Sequence, residues 1–272
     1  MTNLSTQSPI HLVQITDTHL YSGSAGTLLK MNTQDSLNHV VDLVKIKEST
    51  IDLILATGDI AQDGSFDAYN NFSKAISELG APYRWIPGNH DNIAVMELIS
   101  AATDACERVI TINNWQILML DTSILGQVHG RLADKELQLI DTTLTASQND
   151  AEVEHCLVGL HHNPVSGNAV WMHDIGLENG EEFFDRLARF DKVRAIVYGH
   201  IHQELDFMHD QHRCFCTPST CIQFKPNVTD FTLDKVNPGY RSFKLFEDGR
   251  IESEVYRVTG SDFEADYSSS GY

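Results

Sequence analysis

Short apolar runs alternate with amphipathic stretches along most of the chain. The first apolar run is Ile10–Ile15, and residues 51–56 and Tyr83–Ile86 form two more. Between these runs, apolar residues recur at helical spacing in residues 37–44 and 66–79. Short apolar runs are typical of strands buried on both faces, and a 3.6-residue repeat is typical of a helix packed on a sheet. The pattern therefore predicts an α/β domain.

The ends of the two predicted helices carry residues that favour capping. Thr33 precedes the first stripe and is expected to cap that helix, and Gly80 follows the second stripe as a C-terminal residue. The second half of the chain repeats the pattern. Strands are predicted there for residues 115–120, 156–160, 195–198, 240–246 and 251–258, and helices for residues 135–144 and 183–190. Gly249 separates the last two strands, so we expect them to form a hairpin.

Neither a repeat nor a linker rich in Pro and Gly divides the chain. We therefore expect residues 1–258 to form a single domain. Residues 259–272 are rich in Ser, Asp and Gly, and we expect them to form a flexible C-terminal tail.

Composition narrows the classes of function. Hydrophobic residues make up 42% of the 272 residues, enough for a sizeable core. The formal net charge of −19 disfavours binding to a nucleic-acid backbone or to an anionic membrane. No apolar run approaches the roughly 18 residues of a membrane-spanning helix, and the N-terminus lacks the features of an export signal. Five cysteines without disulfide-framework spacing fit reduced thiols, so a cytoplasmic location is expected.

Polar residues that can bind metals cluster directly after five of the predicted strands. The five segments are Asp17-Thr18-His19, Gly58-Asp59, Gly88-Asn89-His90-Asp91, His161-His162 and Gly199-His200-Ile201-His202. In open α/β sheets, ligands bind at the carboxyl ends of the strands, so these segments are expected to converge on one rim. The glycines at positions 58, 88 and 199 are expected to let the backbone turn sharply where each strand meets its ligand.

The chemistry of these side chains indicates a metal centre. Carboxylates, an amide and imidazoles suit borderline divalent ions such as Mn, Fe, Co or Zn. No cysteine takes part, which argues against a closed structural zinc site. The candidate ligands are too many for one tetrahedral ion and fit two ions that share a bridge. Asp59 is the expected bridge, because one carboxylate offers an oxygen to each ion.

Taken in order, the five segments resemble the signature blocks of the calcineurin-like metallophosphoesterases, and the resemblance covers about residues 10 to 258. More narrowly, residues 199–205 and 217–226 are similar to the corresponding stretches of the bacterial class III cyclic-AMP phosphodiesterases. The resemblance implies a four-layer α/β/β/α sandwich with the site at its rim. It also implies a cap over that site, for which residues 165–178, including Trp171 and His173, are the candidates.

The resemblance also implies roles for individual residues. Two divalent ions, such as Fe²⁺ or Mn²⁺, would be held, one by Asp17, His19, Asp59 and His202 and the other by Asp59, Asn89, His161 and His200. His162 would lie beside the ligands or face the substrate. The substrate would contact His19, Asp59, Asn89, His90, His161 and His202. His90 would donate a proton to the leaving oxygen, and 3′,5′-cyclic AMP would yield 5′-AMP, which lowers cellular cyclic AMP.

Other functions share the same ligands. A phosphoprotein phosphatase, a nucleotidase or a phosphodiesterase for 2′,3′-cyclic nucleotides would need the same metal-binding residues, although residues 216–226 favour a cyclic nucleotide. The net charge disfavours a nuclease. A catalytically silent scaffold would be expected to have lost ligands or the proton donor, and this chain has all of them. The expected partner is a small cyclic nucleotide, with no nucleic acid and no membrane, and the expected state is a monomer or homodimer.

Overall fold

The computed structural model describes residues 8–271, which contain fifteen strands and five α-helices. The strands are β1 Ile10–Ile15, β2 Thr27–Leu28, β3 Met31–Asn32, β4 Leu53–Thr57, β5 Tyr83–Ile86, β6 Val109–Ile112, β7 Trp115–Met119, β8 His155–Gly159, β9 Val193–Tyr198, β10 Leu205–His209, β11 His212–Cys216, β12 Gln223–Phe224, β13 Leu233–Asp234, β14 Gly239–Leu245 and β15 Ile251–Arg257. The helices are α1 Thr33–Lys47, α2 Phe66–Ser77, α3 Ile93–Ser100, α4 Asp134–Asn149 and α5 Gly180–Leu187, with a 3₁₀ turn at Val170–Met172. Within the described residues, none of these helices combines the length and hydropathy needed to cross a bilayer.

Two large mixed sheets form the centre of the molecule. The first sheet has the order β15-β14-β1-β4-β5, in which β1, β4 and β5 are parallel and β14 and β15 form the predicted hairpin. The second has the order β10-β11-β9-β8-β7-β6, with the parallel strands β11, β9, β8 and β7 between antiparallel edges. The parallel strands of each sheet are joined mainly through helices, as the alternating pattern predicts.

The core has three apolar layers that separate four layers of secondary structure. Between the sheets, Leu12 and Leu55 of the first sheet share a cluster with Leu157 and Val197 of the second. Val13, one residue after Leu12, belongs to a different cluster, which packs under α1 and α2. A third cluster packs α4 and α5 on the outer face of the second sheet. Strands buried on both faces produce near-continuous apolar runs. The predicted four-layer α/β/β/α sandwich is confirmed.

Two local predictions differ from the structure. The N-cap of α1 is Asn32, whose Oδ1 accepts a hydrogen bond from the backbone N–H of Asp35 at 2.8 Å. The prediction of Thr33 as the cap is therefore wrong, because an Asn directly precedes it and takes that position. Helix α3 was not predicted. It buries only Met96 and Ser100, so its apolar residues do not form the regular stripe that identifies the longer helices.

The segment after β15 lies along the body of the protein. The ring of Phe263 meets the ring of His39 edge-on, with centroids 5.3 Å apart. The backbone N–H of Asp266 donates to the carbonyl of Leu29 at 2.8 Å, and the Asp266 carboxylate lies 3.5 Å from Lys30 Nζ. The division into a domain of residues 1–258 and a flexible tail of residues 259–272 stays a prediction, and residues 1–7 and 272 lie outside the described part.

Candidate metal centre

The five polar segments meet at one end of the seam between the two sheets. Those after β1, β4 and β5 come from the first sheet, and those after β8 and β9 come from the second. The structure brings together all the predicted ligands, namely Asp17, His19, Asp59, Asn89, His161, His200 and His202. All of them are buried except Asn89, which is half-buried. The segments therefore converge as expected, but from two sheets rather than along the rim of one.

One group of ligands consists of Asp17, His19 and His202. The Nε2 atoms of the two histidines lie 3.2 Å apart, and His202 Nε2 lies 3.3 Å from Asp17 Oδ1. Their potential ligand atoms all lie within 4.8 Å of one another. Two imidazoles and a carboxylate at this spacing are a suitable set for a borderline divalent ion.

The second group surrounds His161, whose Nε2 lies 3.2 Å from His200 Nδ1 and 3.3 Å from Asn89 Oδ1. The Asp59 carboxylate lies between the two groups. Its Oδ2 is 3.3 Å from His161 Nε2 and 3.9 Å from His19 Nε2. Asp59 is thus within 4 Å of a nitrogen of each group, and its role as a residue shared by two ions stays a prediction.

Each of the four imidazoles is held through the ring nitrogen that points away from the centre. The contacts are His19 Nδ1 to Gln62 Oε1 at 2.6 Å, His161 Nδ1 to the Thr57 carbonyl at 2.8 Å, His202 Nδ1 to the Ile222 carbonyl at 2.8 Å and His200 Nε2 to the Ile175 carbonyl at 2.9 Å. Because an oxygen acceptor keeps a proton on that nitrogen, the other nitrogen of each ring is the one that points to the centre. Such hydrogen bonds fix the tautomer and the orientation of metal-binding histidines.

Burial and mutual charge set the protonation of the ligands. Burial lowers the pKa of His19 and of His200 to about 3, so both are neutral at pH 7. Burial alone would lower the pKa of His161, but the neighbouring Asp59 carboxylate raises it to about 9. The pKa of Asp59 is well below its usual range, because His161 more than offsets the effect of burial. His202 does the same for Asp17 and lowers its pKa. Both carboxylates are therefore ionised.

Five of the ligands have a left-handed backbone. The φ angles are 54° for Asp17, 46° for His19, 50° for Asp59, 68° for His200 and 46° for His202. A non-glycine residue in this region costs on the order of 1 kcal/mol or more, and such strain is concentrated at functional sites. The sharp turns that aim these side chains inward are thus made by the ligands themselves.

The glycines beside the ligands have a different role from the predicted one. Only Gly58 has a positive φ, of 95°. The prediction that Gly88 and Gly199 also make sharp turns is wrong, because these two glycines supply space instead. A Cβ on Gly88 would overlap Asp59 Oδ1, and a Cβ on Gly199 would overlap Thr16 Oγ1 and lie 2.5 Å from Asp17 Oδ2.

Sequence reasoning assigned no role to Asp91, the last residue of the third segment. Its carboxylate accepts hydrogen bonds from the backbone N–H groups of Ile60, Ala61 and Gly88 at 2.9–3.1 Å. The hydroxyl of Tyr69 donates to it at 3.0 Å. Asp91 thereby ties the loop that carries Asp59 to the loop that carries Asn89. Gln62, which orients His19, gave no signal in the sequence at all.

His90 and His162 flank the ligands. His90 is half-buried, its backbone N–H donates to Asp59 Oδ1 at 2.9 Å, and its ring meets that of His19 edge-on at 5.1 Å. His162 is buried, with Nδ1 2.7 Å from Thr122 Oγ1 and Nε2 3.1 Å from the Val128 carbonyl. Both ring nitrogens of His162 face protein oxygens, but His162 also lies close enough to His161 and His200 to form a group of three imidazoles, so its omission from the ligand set stays a prediction.

The expected cap, residues 165–178, contacts the centre from one side. The carbonyl of Ile175 is the group that holds His200. Trp171 packs against Phe224 with ring centroids 5.1 Å apart, and Phe224 stacks on His202 at 4.2 Å. His173 is exposed. A direct role of Trp171 or His173 toward substrate stays a prediction.

Comparison with known proteins identifies the relatives of this chain. The family model described as Calcineurin-like phosphoesterase matches residues 10–204. The chain is 42% identical to a protein of Pseudomonas aeruginosa named 3′,5′-cyclic adenosine monophosphate phosphodiesterase CpdA, over 98% of this chain and 97% of the relative. It is 39% identical to the protein of the same name from Escherichia coli (strain K12), over 99% of this chain and 97% of the relative.

Solved structures share the fold at much lower sequence identity. A dimetal phosphatase from Danio rerio superimposes with a TM-score of 0.64 at 14% identity, covering 93% of this chain and all of that protein. The purple acid phosphatase PPD1 from yellow lupin gives a TM-score of 0.66 at 14% identity, covering 95% of this chain and 53% of that one. At these identities, the likeness supports the fold only.

Proposed function

The chain belongs to the calcineurin-like phosphoesterase family, and we propose that within this family it hydrolyses 3′,5′-cyclic AMP to 5′-AMP. The observation that carries the proposal is the similarity, from end to end, to proteins named for that reaction. The resemblance of residues 199–205 and 217–226 to class III cyclic-AMP phosphodiesterases points the same way. Hydrolysis of this substrate would lower cellular cyclic AMP.

The donor set fits two divalent ions, and we propose Fe²⁺, Mn²⁺ or a similar ion for both positions. Asp17, His19 and His202 would hold one ion, and Asn89, His161 and His200 would hold the other, with Asp59 shared. The fit is visible in the Nε2 atoms of His19 and His202, which lie 3.2 Å apart while the Nδ1 atoms of both rings contact the oxygens of Gln62 and Ile222. When bound, such ions supply positive charge to the phosphoryl oxygens and water of lowered pKa.

His90 is proposed as the acid of the reaction. In hydrolysis of the cyclic ester, a water molecule releases a proton to solvent as its oxygen bonds to phosphorus, the bond between phosphorus and O3′ breaks, and O3′ takes up a proton. An imidazolium beside the leaving oxygen can supply that proton. His90 follows the proposed ligand Asn89 directly, and its backbone is fixed by Asp59. It lies at the half-buried edge of the centre, where a substrate can reach it.

The remaining expectations concern the substrate contacts, the cellular location and the oligomeric state. The substrate phosphate is proposed to lie against His19, Asp59, Asn89, His90, His161 and His202. A small nucleotide fits the strongly acidic chain better than a polyanion does, because repulsion of a single charge is modest and is screened by salt. All five cysteines are free thiols, which supports a cytoplasmic location. A monomer or a homodimer remains our expectation.

A substrate panel tests the proposal. The Mn²⁺-loaded protein is incubated with 3′,5′-cyclic AMP, 3′,5′-cyclic GMP, 2′,3′-cyclic AMP, phosphotyrosine and an artificial diester, and products are separated by chromatography. We expect 5′-AMP from 3′,5′-cyclic AMP, at a rate well above those for 2′,3′-cyclic AMP and phosphotyrosine. Equal rates on all substrates would reduce the activity to that of a general phosphoesterase, and preference for phosphotyrosine would overturn the proposal. The Asp59→Asn variant, purified in parallel, controls for contaminating enzymes.

A further inference from the structure

A buried glutamine joins the two sheets beneath the metal centre. Gln14 lies in β1, three residues before Asp17, and is fully buried. Its Nε2 donates to Thr57 Oγ1 at 2.8 Å and to the Tyr198 carbonyl at 3.2 Å, while its Oε1 accepts from the Thr217 hydroxyl at 2.5 Å. Thr57 belongs to the first sheet, whereas Tyr198 ends β9 in the second and Thr217 follows β11. One amide thus bridges the seam with both of its N–H groups and its oxygen.

The partners of Gln14 are the residues from which the ligands of both sheets emerge. Thr57 precedes Gly58 and Asp59, and its carbonyl holds the Nδ1–H of His161 at 2.8 Å. Tyr198 precedes Gly199 and His200. A displacement of Thr57 relative to Tyr198 would therefore move Asp59 and His161 relative to His200.

Most of the rest of the interface between the sheets is less directional, apart from contacts made by the ligands themselves, such as the bond from the His200 backbone N–H to the Asp17 carboxylate at 3.1 Å. The two inner faces meet mainly through apolar side chains, among them Leu12, Leu55, Leu157 and Val197. Apolar burial is non-directional, whereas a hydrogen bond constrains both distance and angle. A metal site needs its ligands within about 0.5 Å of the productive geometry. Because the proposed ligands are divided between the sheets, their spacing depends on the directional contacts closest to them.

We infer that Gln14 is a positioning residue for the metal centre. Through Thr57 and Tyr198, it sets the separation between the ligands supplied by the first sheet and those supplied by the second. The inference rests on the metal centre in the proposed function, but it does not depend on which phosphoester is cleaved.

Three variants separate this role from a general contribution to stability. Gln14→Met keeps a side chain of similar length and removes all three hydrogen bonds. Thr217→Val removes only the bond to Gln14 Oε1 with little change of shape. Trp115→Phe is the matched control, because Trp115 Nε1 donates to the Phe246 carbonyl at 2.9 Å and also links the two sheets. Trp115 starts β7, which runs parallel to β8, so it lies at the end of the seam away from the ligands.

The readout is Mn²⁺ affinity of the chelator-stripped proteins, measured by calorimetric titration without substrate, together with their melting temperatures. Loss of a residue that orients metal ligands typically costs about 10–100-fold in affinity. We expect a loss of about tenfold for Gln14→Met and a smaller loss for Thr217→Val. Trp115→Phe is expected to lower the melting temperature and to leave Mn²⁺ affinity close to that of the wild type.

Equal changes of affinity in Gln14→Met and Trp115→Phe, or wild-type affinity in Gln14→Met, would overturn the inference. If Gln14→Met does not fold, the Mn²⁺ affinities of Thr217→Val and Trp115→Phe are compared instead. Equal changes of affinity in these two variants, or wild-type affinity in Thr217→Val, would then overturn the inference. The titration uses no substrate, so its outcome is independent of the substrate panel. If the protein leaves cyclic AMP intact, the proposed function is refuted. If Gln14→Met nevertheless loses Mn²⁺ affinity, the role of Gln14 is still supported.

Discussion

The Nε2 atoms of His19 and His202 face each other 3.2 Å apart in the buried centre. His19 donates through Nδ1 to Gln62, and His202 donates through Nδ1 to the carbonyl of Ile222. The carboxylates of Asp17 and Asp59 lie in the same buried space, and the neighbouring His202 and His161 hold the pKa of each below its usual value against the effect of burial. Imidazole nitrogens and ionised carboxylates at this spacing are ligands for a divalent cation, so the arrangement gains favourable contacts when metal binds.

Metal should therefore stabilise the fold. Bringing chelator-treated protein to a free Mn²⁺ concentration 100-fold above Kd should raise its free energy of unfolding by about 2.7 kcal/mol per independent site. Urea denaturation with and without Mn²⁺ measures the change, and Asp59→Asn, which lacks the shared carboxylate, should show a much smaller one. Identical unfolding curves for the wild-type protein in the two conditions would contradict this expectation.

Substitution of His90 and of Asp59 should affect metal content differently. His90→Ala should retain both ions yet lose about 10²–10⁴-fold in turnover, the usual contribution of a general acid. Asp59→Asn should lose metal as well as turnover, because the shared negative charge is gone. Metal content is measured by mass spectrometry and the rate of cyclic AMP hydrolysis is measured on the same samples, which distinguishes the two variants. His39→Ala, at a half-buried histidine of α1 outside the metal centre, serves as control, and unchanged turnover in His90→Ala would remove the assigned role.

Gly88 should tolerate no side chain. In Gly88→Ala the new Cβ would overlap Asp59 Oδ1 and lie 2.7 Å from His161 Nε2, so these two proposed ligands must move apart. We expect a loss of Mn²⁺ affinity of about tenfold or more, as for other changes that disturb ligand orientation. Gly23→Ala is the matched control, since a Cβ there meets no atom within 4 Å. Wild-type affinity in Gly88→Ala would show that the centre does not need this space.

A histidine far from the centre should make stability depend on pH. His155 is buried under the last hairpin, where its Nε2–H donates to the Glu247 carbonyl at 3.0 Å. Its Nδ1 accepts from Arg194 Nε at 3.1 Å, and a protonated ring could not accept that bond. Burial lowers the pKa of His155 below its usual value. In the folded protein the ring is therefore neutral at pH values where the unfolded chain has begun to bind a proton.

The sign of the effect follows from proton uptake. Below the unfolded pKa of about 6.5, the unfolded state holds more protons than the folded state, so the stability contributed by His155 falls as pH decreases. The slope is at most about 1.4 kcal/mol per pH unit. In urea titrations with chelator at pH 7.5 and 5.5, the wild-type protein should lose more stability than His155→Gln. An equal loss in both proteins would show that the ring already carries a proton in the folded state.

Much of the centre could be predicted because each ligand directly follows a strand. Apolar runs such as Ile10–Ile15 place the residues after them at a strand end, and metal-binding side chains at several strand ends point to one site. The sequence could not show that the strands form two sheets, since β4 and β8 have the same buried pattern. The sandwich followed from the resemblance to a family rather than from periodicity.

Other features depend on long-range contacts that leave no local pattern. The left-handed conformation of Asp17 and His200 is imposed by the tertiary structure, because side-chain chemistry alone disfavours it. Gln62 and Gln14 act through partners 43 residues or more away in the chain. Helix α3 could not be predicted from its local pattern either, because a short, mostly exposed helix has no apolar stripe to identify it.

The most direct test of the paired metal centre is anomalous diffraction from Mn²⁺-soaked crystals, recorded at a wavelength where manganese scatters strongly. We expect two peaks in this region, one among Asp17, His19 and His202 and the other among Asn89, His161 and His200. Both peaks should lie within bonding distance of the Asp59 carboxylate. A single peak, or none among these side chains with Mn²⁺ bound elsewhere, would contradict a paired metal centre at this site.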